Sequence, residues 1–327
     1  MEYIKNKWRH YNDSYPMFLE IFSTAVAFLA LVIIFAILSD VFFTFRNVIN
    51  ILRRASIYLI MCTGMTFCIG SAGIDISTES ILGVCTAILG ISIMVWGLPV
   101  SAGILLAIIT GFVLGLFNAA VITVLKVPPI ITTLGTWTAY RGIAFVLLGG
   151  DIHYGFPDSF VWMGQGFVGV IPAPIIIASI VVIAGLYVLN FTRTGTYIKA
   201  VGGNEAAAQA AGINTWFYKG LTYTIVGVLA ALAAVIATAR VDAAQAVMGQ
   251  GMSLHVIASV VIGGTSIFGG RATMIGTILG VLILGVLENG LLLAGFSHFW
   301  QLIALGLVTI VAVAVRTARQ KTSEDLI

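Results

Sequence analysis

Five ionisable or strongly polar groups stand inside long apolar runs: Asp75, Glu79, Arg141, Glu288 and Asn289. Such groups are expensive to hold in an apolar medium, so they mark pathways, relays or interhelix pairs. Asp75 and Glu79 flank Ser77 where one apolar run breaks. Two readings stand for them: they line a passage or gate, or a carboxylate caps the start of the following helix. Arg141 lies within another run and either pairs with a carboxylate or carbonyl or extends its head to an interface. Glu288 and Asn289 either support a helix interface or face a passage. Nucleophilic and metal chemistry find no matching pattern. Cys62, Cys68 and Cys85 sit in apolar runs without ligand spacing and read as small core residues. His153, His255 and His298 have no partner at metal spacing, with His255 placed near the outer surface, and no His-Glu-x-x-His motif occurs.

The elements that carry these groups follow from composition. Of 327 residues, 60% are hydrophobic and 9% charged, with mean hydropathy +1.08. A soluble domain carries roughly 25% charged residues. This balance excludes a cytosolic globular enzyme, a disulfide scaffold and a disordered chain. A net charge of +3 is no nucleic-acid signature. The expected fold is all-α, a polytopic transmembrane helix bundle, since backbone groups in lipid must be satisfied within each segment and barrel-type alternation is absent.

About twenty apolar residues make a span. Ten segments are read at roughly 20–39, 54–72, 78–97, 100–125, 129–149, 172–190, 216–238, 253–268, 272–295 and 298–315. Glycines interrupt the second, third and eighth, and 70–80 is expected to be partly unwound. Basic residues in short loops set orientation. With both termini cytoplasmic, eleven basic residues face inward (Lys5, Lys7, Arg9, Lys126, Arg193, Lys199, Lys219, Arg271, Arg316, Arg319 and Lys321), against Arg46, Arg53, Arg54 and Arg240 outside. Arg53–Arg54 breaks the rule locally. The domain plan is a cytoplasmic tail at 1–19, a single membrane domain at 20–315 and a cytoplasmic tail at 316–327. Gly111/Gly115 and Gly276/Gly280 are small-xxx-small pairs suited to close helix approach. The halves 54–149 and 216–315 each hold about four spans, which would suit an inverted repeat.

One polar stretch, 192–215, interrupts the inward side. Asn204 is a good N-cap, Glu205 complements a helix N-terminus, Ala206 and Ala207 open a helix-favouring run, and Gly212 can end it in the left-handed region. A short capped helix over 204–211 is expected, flat enough to lie in a groove of another protein, with Gly202, Gly203 and Gly212 permitting tight entry and exit.

The run Gly195…Ala200-Val201-Gly202-Gly203-Asn204-Glu205-Ala206-Ala207…Gly212-Ile213 resembles the ATPase-contacting loop of ribose-type sugar ABC transporter permeases. Further stretches resembling the family follow in its order: Phe45-Arg46-Asn47, Gly73-Ile74-Asp75-Ile76-Ser77, Pro128–Thr136, Arg141-Gly142, Ile257–Ser266, Phe268-Gly269-Gly270, Gly276-Thr277, Glu288-Asn289-Gly290-Leu291 and Phe299-Trp300-Gln301. The family's run after Ile-Asp is Leu-Ser-Val-Gly-Ser; here it is Ile76-Ser77-Thr78-Glu79-Ser80, an acid in place of a glycine.

The resemblance implies the permease subunit of an importer in the bacterial inner membrane, with no enzymatic activity or cofactor of its own. ATP and Mg would belong to a partner ABC ATPase. A periplasmic or lipid-anchored sugar-binding protein would deliver substrate, and a second permease, an identical copy or a paralogue, would complete the path within the lipid bilayer. No nucleic acid is involved. The absence of Gly-x-x-x-x-Gly-Lys-Ser/Thr agrees with ATP being split elsewhere. On this reading Asn118, Thr132, Thr133, Thr136 and Trp137 could offer amide, hydroxyl and aromatic groups to a sugar, although Ser and Thr in membrane helices mostly bond their own backbone or a neighbour. Alternatives are a permease for a furanose-like signal molecule, a nucleoside or a branched-chain amino acid, and an ion-coupled secondary transporter. The last leaves the capped 204–211 helix without a purpose.

Overall fold

The computed structural model describes residues 21–324. It is all-α apart from two two-stranded ribbons. Seven helices are long and apolar enough to cross a membrane: α1 (Ile21–Leu38), α2 (Phe45–Gly70), α3 (Thr78–Leu89, continued as a π-helix to Val95), α4 (Val100–Thr123), α7 (Ala173–Phe191), α10 (Thr215–Val241) and α12 (Met274–Leu293). Helix α5 (Pro129–Leu148) has 20 residues but carries Arg141 and four threonines. The segment read at 253–268 is a shorter helix, α11 (Met252–Ile262). At 1.5 Å per residue it rises roughly 16 Å, half the hydrocarbon thickness. Helix α13 (His298–Glu324) runs through most of the stretch read as a C-terminal tail. The tail read at 1–19, with its basic residues, lies outside the described residues.

Helices α2 and α10 form the buried centre and lie antiparallel. The C-terminal end of α2 meets the polar segment 192–215 at Gly202, and its N-terminal part, at Arg54, shares a cavity with Arg240 at the far end of α10. The packing around them repeats. Helix α4 packs on α10 as α12 packs on α2; α3 packs on α10 as α11 packs on α2; α5 covers α3 as α13 covers α11. Two four-helix units, α2–α5 and α10–α13, therefore run in opposite senses about the α2–α10 contact. The halves read from the sequence coincide with them, and their relation is inverted.

Glycine sets the distance between these helices. A Cβ on Gly111 or Gly115 would run into the backbone of Gly227 or Tyr223 on α10. A Cβ on Gly276 or Gly280 would strike the backbone of Gly263 or Ser259 at the end of α11. Both pairs are thus closest-approach points, one in each unit. Hydroxyl pairs join the same layers: Thr66 with Thr277 at 2.8 Å, Ser71 with Thr222 at 3.2 Å and Thr86 with Thr238 at 3.2 Å.

Between α5 and α7 the chain forms α6 (Asp158–Gln165), and β1 (His153–Tyr154) pairs with β4 (Ala243–Ala244) just after α10. A second ribbon, β2 (Phe167–Val168) with β3 (Ile171–Pro172), leads into α7. On the other side of the bundle lie α8 (Arg193–Gly203) and α9 (Glu205–Ala210).

Candidate functional site

Each central helix is followed by a break and then by a helix that starts within the bundle. After α2, residues 71–77 leave helical geometry, as expected for 70–80, and α3 begins at Thr78. After α10, residues 242–251 fold inward and α11 begins at Met252. Gly90 packs against Ala244 at the level of the β1–β4 ribbon. Glu79, eleven residues earlier on α3, lies roughly 16 Å below that level. The two helix N-termini therefore meet in the interior.

Glu79 occupies that meeting point and is 3% exposed. One carboxylate oxygen accepts the Trp137 indole N–H at 2.9 Å, and the other accepts the backbone N–H of Ser253 at 2.9 Å. The Ser253 hydroxyl donates to the Ile76 carbonyl at 2.7 Å. Arg141 approaches the same carboxylate at 3.7 Å and donates to the carbonyls of Ala246 at 2.6 Å, Met248 at 3.0 Å and Glu79 itself at 3.2 Å. A carboxylate between two helix N-termini is favoured by both sets of N–H dipoles. The guanidinium completes its charge balance and ties α5 to the 242–251 fold. Glu79 is thus a bridge between the two units.

Asp75 begins a second network. Its carboxylate accepts from Ser77 N at 2.9 Å and Ser77 Oγ at 2.6 Å, with Asn118 Nδ2 at 3.4 Å. Asn118 also donates to Ser77 Oγ at 2.8 Å and accepts from Tyr140 Oη at 3.2 Å. Thr133 Oγ1 donates to the Ile74 carbonyl at 3.3 Å. This is an Asx turn rather than a helix cap: the carboxylate holds the turn that enters α3, and α4 and α5 clamp that turn. Thr136 bonds back to the carbonyls of Thr132 and Thr133, the ordinary behaviour of a helical threonine. Asp75, Ser77, Asn118, Thr132, Thr133 and Thr136 are buried within the single chain, whereas Trp137 is 38% exposed.

Glu288 and Asn289 lie on α12 and join it to α2 and α11. Glu288 pairs with Arg54 at 2.8 Å and with His255 Nδ1 at 3.1 Å, and the His255 ring stacks on Tyr58 with centroids 3.9 Å apart. His255, expected near the outer surface, is buried; the inward fold of 242–251 carries α11 into the bundle. Asn289 and Asn47 exchange two amide hydrogen bonds, each 2.9 Å.

The polar segment 192–215 holds more structure than a capped short helix. Residues 193–203, expected as part of a loop, form α8. Helix α9 follows directly, with Asn204 Oδ1 accepting from Ala207 N at 2.9 Å. It ends at Gly212, whose φ is +81°. Gly212 N donates to Gln209 O and Ile213 N to Ala208 O, both at 3.0 Å, which is a Schellman closure. Glu205 pairs with Lys219 of α10 at 2.9 Å. Glu205, Ala206 and Ala207 face outward, and Ala208 seats the helix. Gly202 is needed for close approach rather than for left-handed geometry, whereas a Cβ on Gly203 would make only an ordinary contact, 3.6 Å from Gly270 Cα. A Cβ on Gly202 would collide with the Gly70 carbonyl and sit 2.8 Å from Gly270 N, and Gly270 N already donates to Gly70 O at 3.1 Å. The end of α8 therefore touches the end of α2 and the 263–273 break together.

Sequence reading missed Ser253, Tyr140, Asn47 and the Arg54–Glu288–His255 chain. Their partners lie far away in sequence, and neither residue type nor spacing marks them.

The family described as branched-chain amino acid transport system / permease component matches residues 47–313. The chain is 42% identical over 294 residues to the ribose import permease protein RbsC of Haemophilus influenzae, covering 88% of this chain and 91% of the relative. It is 40% identical over 285 residues to the ribose import permease protein RbsC of Bacillus subtilis, covering 86% and 88%. To the D-allose transport system permease protein AlsC of Escherichia coli it is 34% identical over 307 residues, covering 92% and 93%. No solved structure matches the chain.

Proposed function

The chain belongs to the family of transport-system permease components, and from that premise we propose that it is the multi-pass inner-membrane subunit of an ATP-driven importer of a monosaccharide. The observation that carries the sugar reading is the near full-length likeness to permeases named for ribose and allose. The family description names amino acids, but the relatives at 34–42% identity are named for sugars.

In this reading the crossings number ten and both termini are cytoplasmic. Helix α5 and α13 each cross, and α11 with the 263–273 stretch completes the eighth passage. Helices α8 and α9 face the cytoplasm, where an ABC ATPase carrying ATP and Mg receives α9 in a groove. A sugar-binding protein docks at the opposite ends of the helices, and a second permease completes the path. Closure of the ATPase pair displaces α9, and α8 passes the motion to α2 and the 263–273 break through Gly202. The ATPase moves the bundle between two arrangements only by contacting them differently. Trp137 offers an indole face whose orientation is fixed by Glu79, suited to the apolar face of a sugar ring.

The test is uptake of radiolabelled ribose, allose and xylose into proteoliposomes holding the permease, its ATPase and its binding protein. ATP-dependent uptake of a sugar is expected. Uptake driven by a proton gradient without ATP, or ATP-dependent uptake of an amino acid alone, would overturn the reading.

A further inference from the structure

We infer that the outer end of the bundle holds a site for the phosphodiester headgroup of an anionic phospholipid. A cavity of about 550 Å3 opens among the ends of α2, α10 and α12, lined by Arg46, Arg54 and Arg240 together with Asn50, Asn289 and Leu292. Three guanidiniums share this space with one neighbouring carboxylate, Glu288, which engages Arg54. Among the described residues, neither Arg46 nor Arg240 has a carboxylate within 4.0 Å. Asp40 and Asp242, the acids nearest to them in sequence, do not line the cavity. Like charges gathered in a concave site call for an anion. Guanidiniums match the paired oxygens of a phosphodiester, and the Asn50 amide suits a hydroxyl of a glycerol headgroup.

The shape favours an amphiphile over a soluble anion. Val41 and Leu292 form part of the wall and are themselves more than half exposed. They continue into the exposed apolar side chains Ile37 and Leu38 at the end of α1. A ligand with its phosphate on the arginines would therefore lay its acyl chains on an apolar surface. The cavity stands at the ends of membrane helices, the level at which headgroups lie. Its volume suits a headgroup and is small for a folded protein partner. The proposal also accounts for Arg46, Arg54 and Arg240 on the side where loop arginines are otherwise scarce: they are ligands rather than orientation signals. It does not depend on which solute the chain transports.

The test is native mass spectrometry of the full chain in detergent, titrated with phosphatidylglycerol, phosphatidylcholine, glycerol 3-phosphate and a poly-glutamate peptide. Phosphatidylglycerol is expected to be retained about tenfold over phosphatidylcholine. The Arg46→Gln/Arg240→Gln double variant should lose that preference while keeping the wild-type circular dichroism spectrum. Arg54 is left intact because its pair with Glu288 joins α2 to α12. Equal retention of the two lipids, or an unchanged preference in the double variant, overturns the proposal. Binding of glycerol 3-phosphate as tight as that of the lipid would assign the cavity to a free anion. Stronger binding of the acidic peptide would assign it to a protein partner. Either result overturns the lipid reading.

Discussion

Glu79 accepts the backbone N–H of Ser253 at 2.9 Å across 174 positions of sequence, joining the first turns of two helices from opposite units of the bundle. The same carboxylate holds the Trp137 indole and faces Arg141. One acid thus fixes the relative position of α3, α5 and α11.

Removing this acid leaves the Ser253 N–H, the Trp137 indole and part of the Arg141 charge unpaired in the interior. Breaking a buried pair from one side costs about 3–5 kcal/mol. Glu79→Ala is therefore expected to lower the thermal midpoint sharply in detergent. Glu79→Gln, which still accepts a hydrogen bond but carries no charge, should cost less than half as much. Equal midpoints for wild type and Glu79→Ala would show that the bridge contributes nothing.

Glycine spacing gives a prediction with its own control. Gly280→Leu forces α12 away from the Ser259 carbonyl, and overpacking of this kind costs about 1–3 kcal/mol. Gly285 lies on the same helix with open space where a Cβ would stand. Gly285→Leu should leave the unfolding midpoint close to wild type. Fluorescence-detected size exclusion after a heat step checks both variants side by side.

The amide pair Asn47–Asn289 is suited to a double-mutant cycle. Interhelix hydrogen bonds in membranes average about 0.6 kcal/mol. Asn47→Leu and Asn289→Leu should each destabilise, and the double variant should cost less than their sum, because it leaves no orphaned amide. Strict additivity in a denaturant titration would argue against a coupled pair.

On α9, Glu205→Arg places a cation beside Lys219 at an exposed position. A surface ion pair is worth about 0–1 kcal/mol, so the unfolding midpoint should barely move. Co-purification of the ATPase should fall by at least about tenfold if α9 is the docking element, since like-charge contacts at an interface suppress binding. The swap Glu205→Lys/Lys219→Glu restores the pair but not the surface. Docking that stays impaired in the swap separates the surface role from the ion pair. Full recovery would place the effect in the pair instead.

Much of this was legible in the chain. The apolar runs locate the helices because lipid fixes their length, and Asn204 and Gly212 bracket α9 through capping rules that act over three or four residues. Local rules also anticipated the break at 70–80 and the close approaches of Gly111, Gly115, Gly276 and Gly280. What stayed hidden depends on pairing between distant segments. The length of α11 cannot be read from 253–268, because the apolar run continues through Gly263 and Gly264 after the helix has stopped. Ser253 gives no sign of meeting Glu79, and His255 looks like a surface residue until the fold of 242–251 carries it inward. Helix α8 escaped notice because Gly195, Gly202 and Gly203 argue against a helix. Gly195 and Gly202 are there because the backbones of Leu189 and Gly70 press on them.

The contact of Gly202 with Gly70 and Gly270 has a consequence for anyone wishing to alter this end of the bundle. Three main chains meet there with no side chain between them, so Gly202 has no adjustable part: a methyl group added to it presses on Gly70 and Gly270 together. Adjustable positions lie instead in the segment that leads to it, in the caps of α9 and the length of α8. A library that varies this region without breaking the joint should therefore target Asn204, Glu205 and Lys219 and leave Gly202 alone.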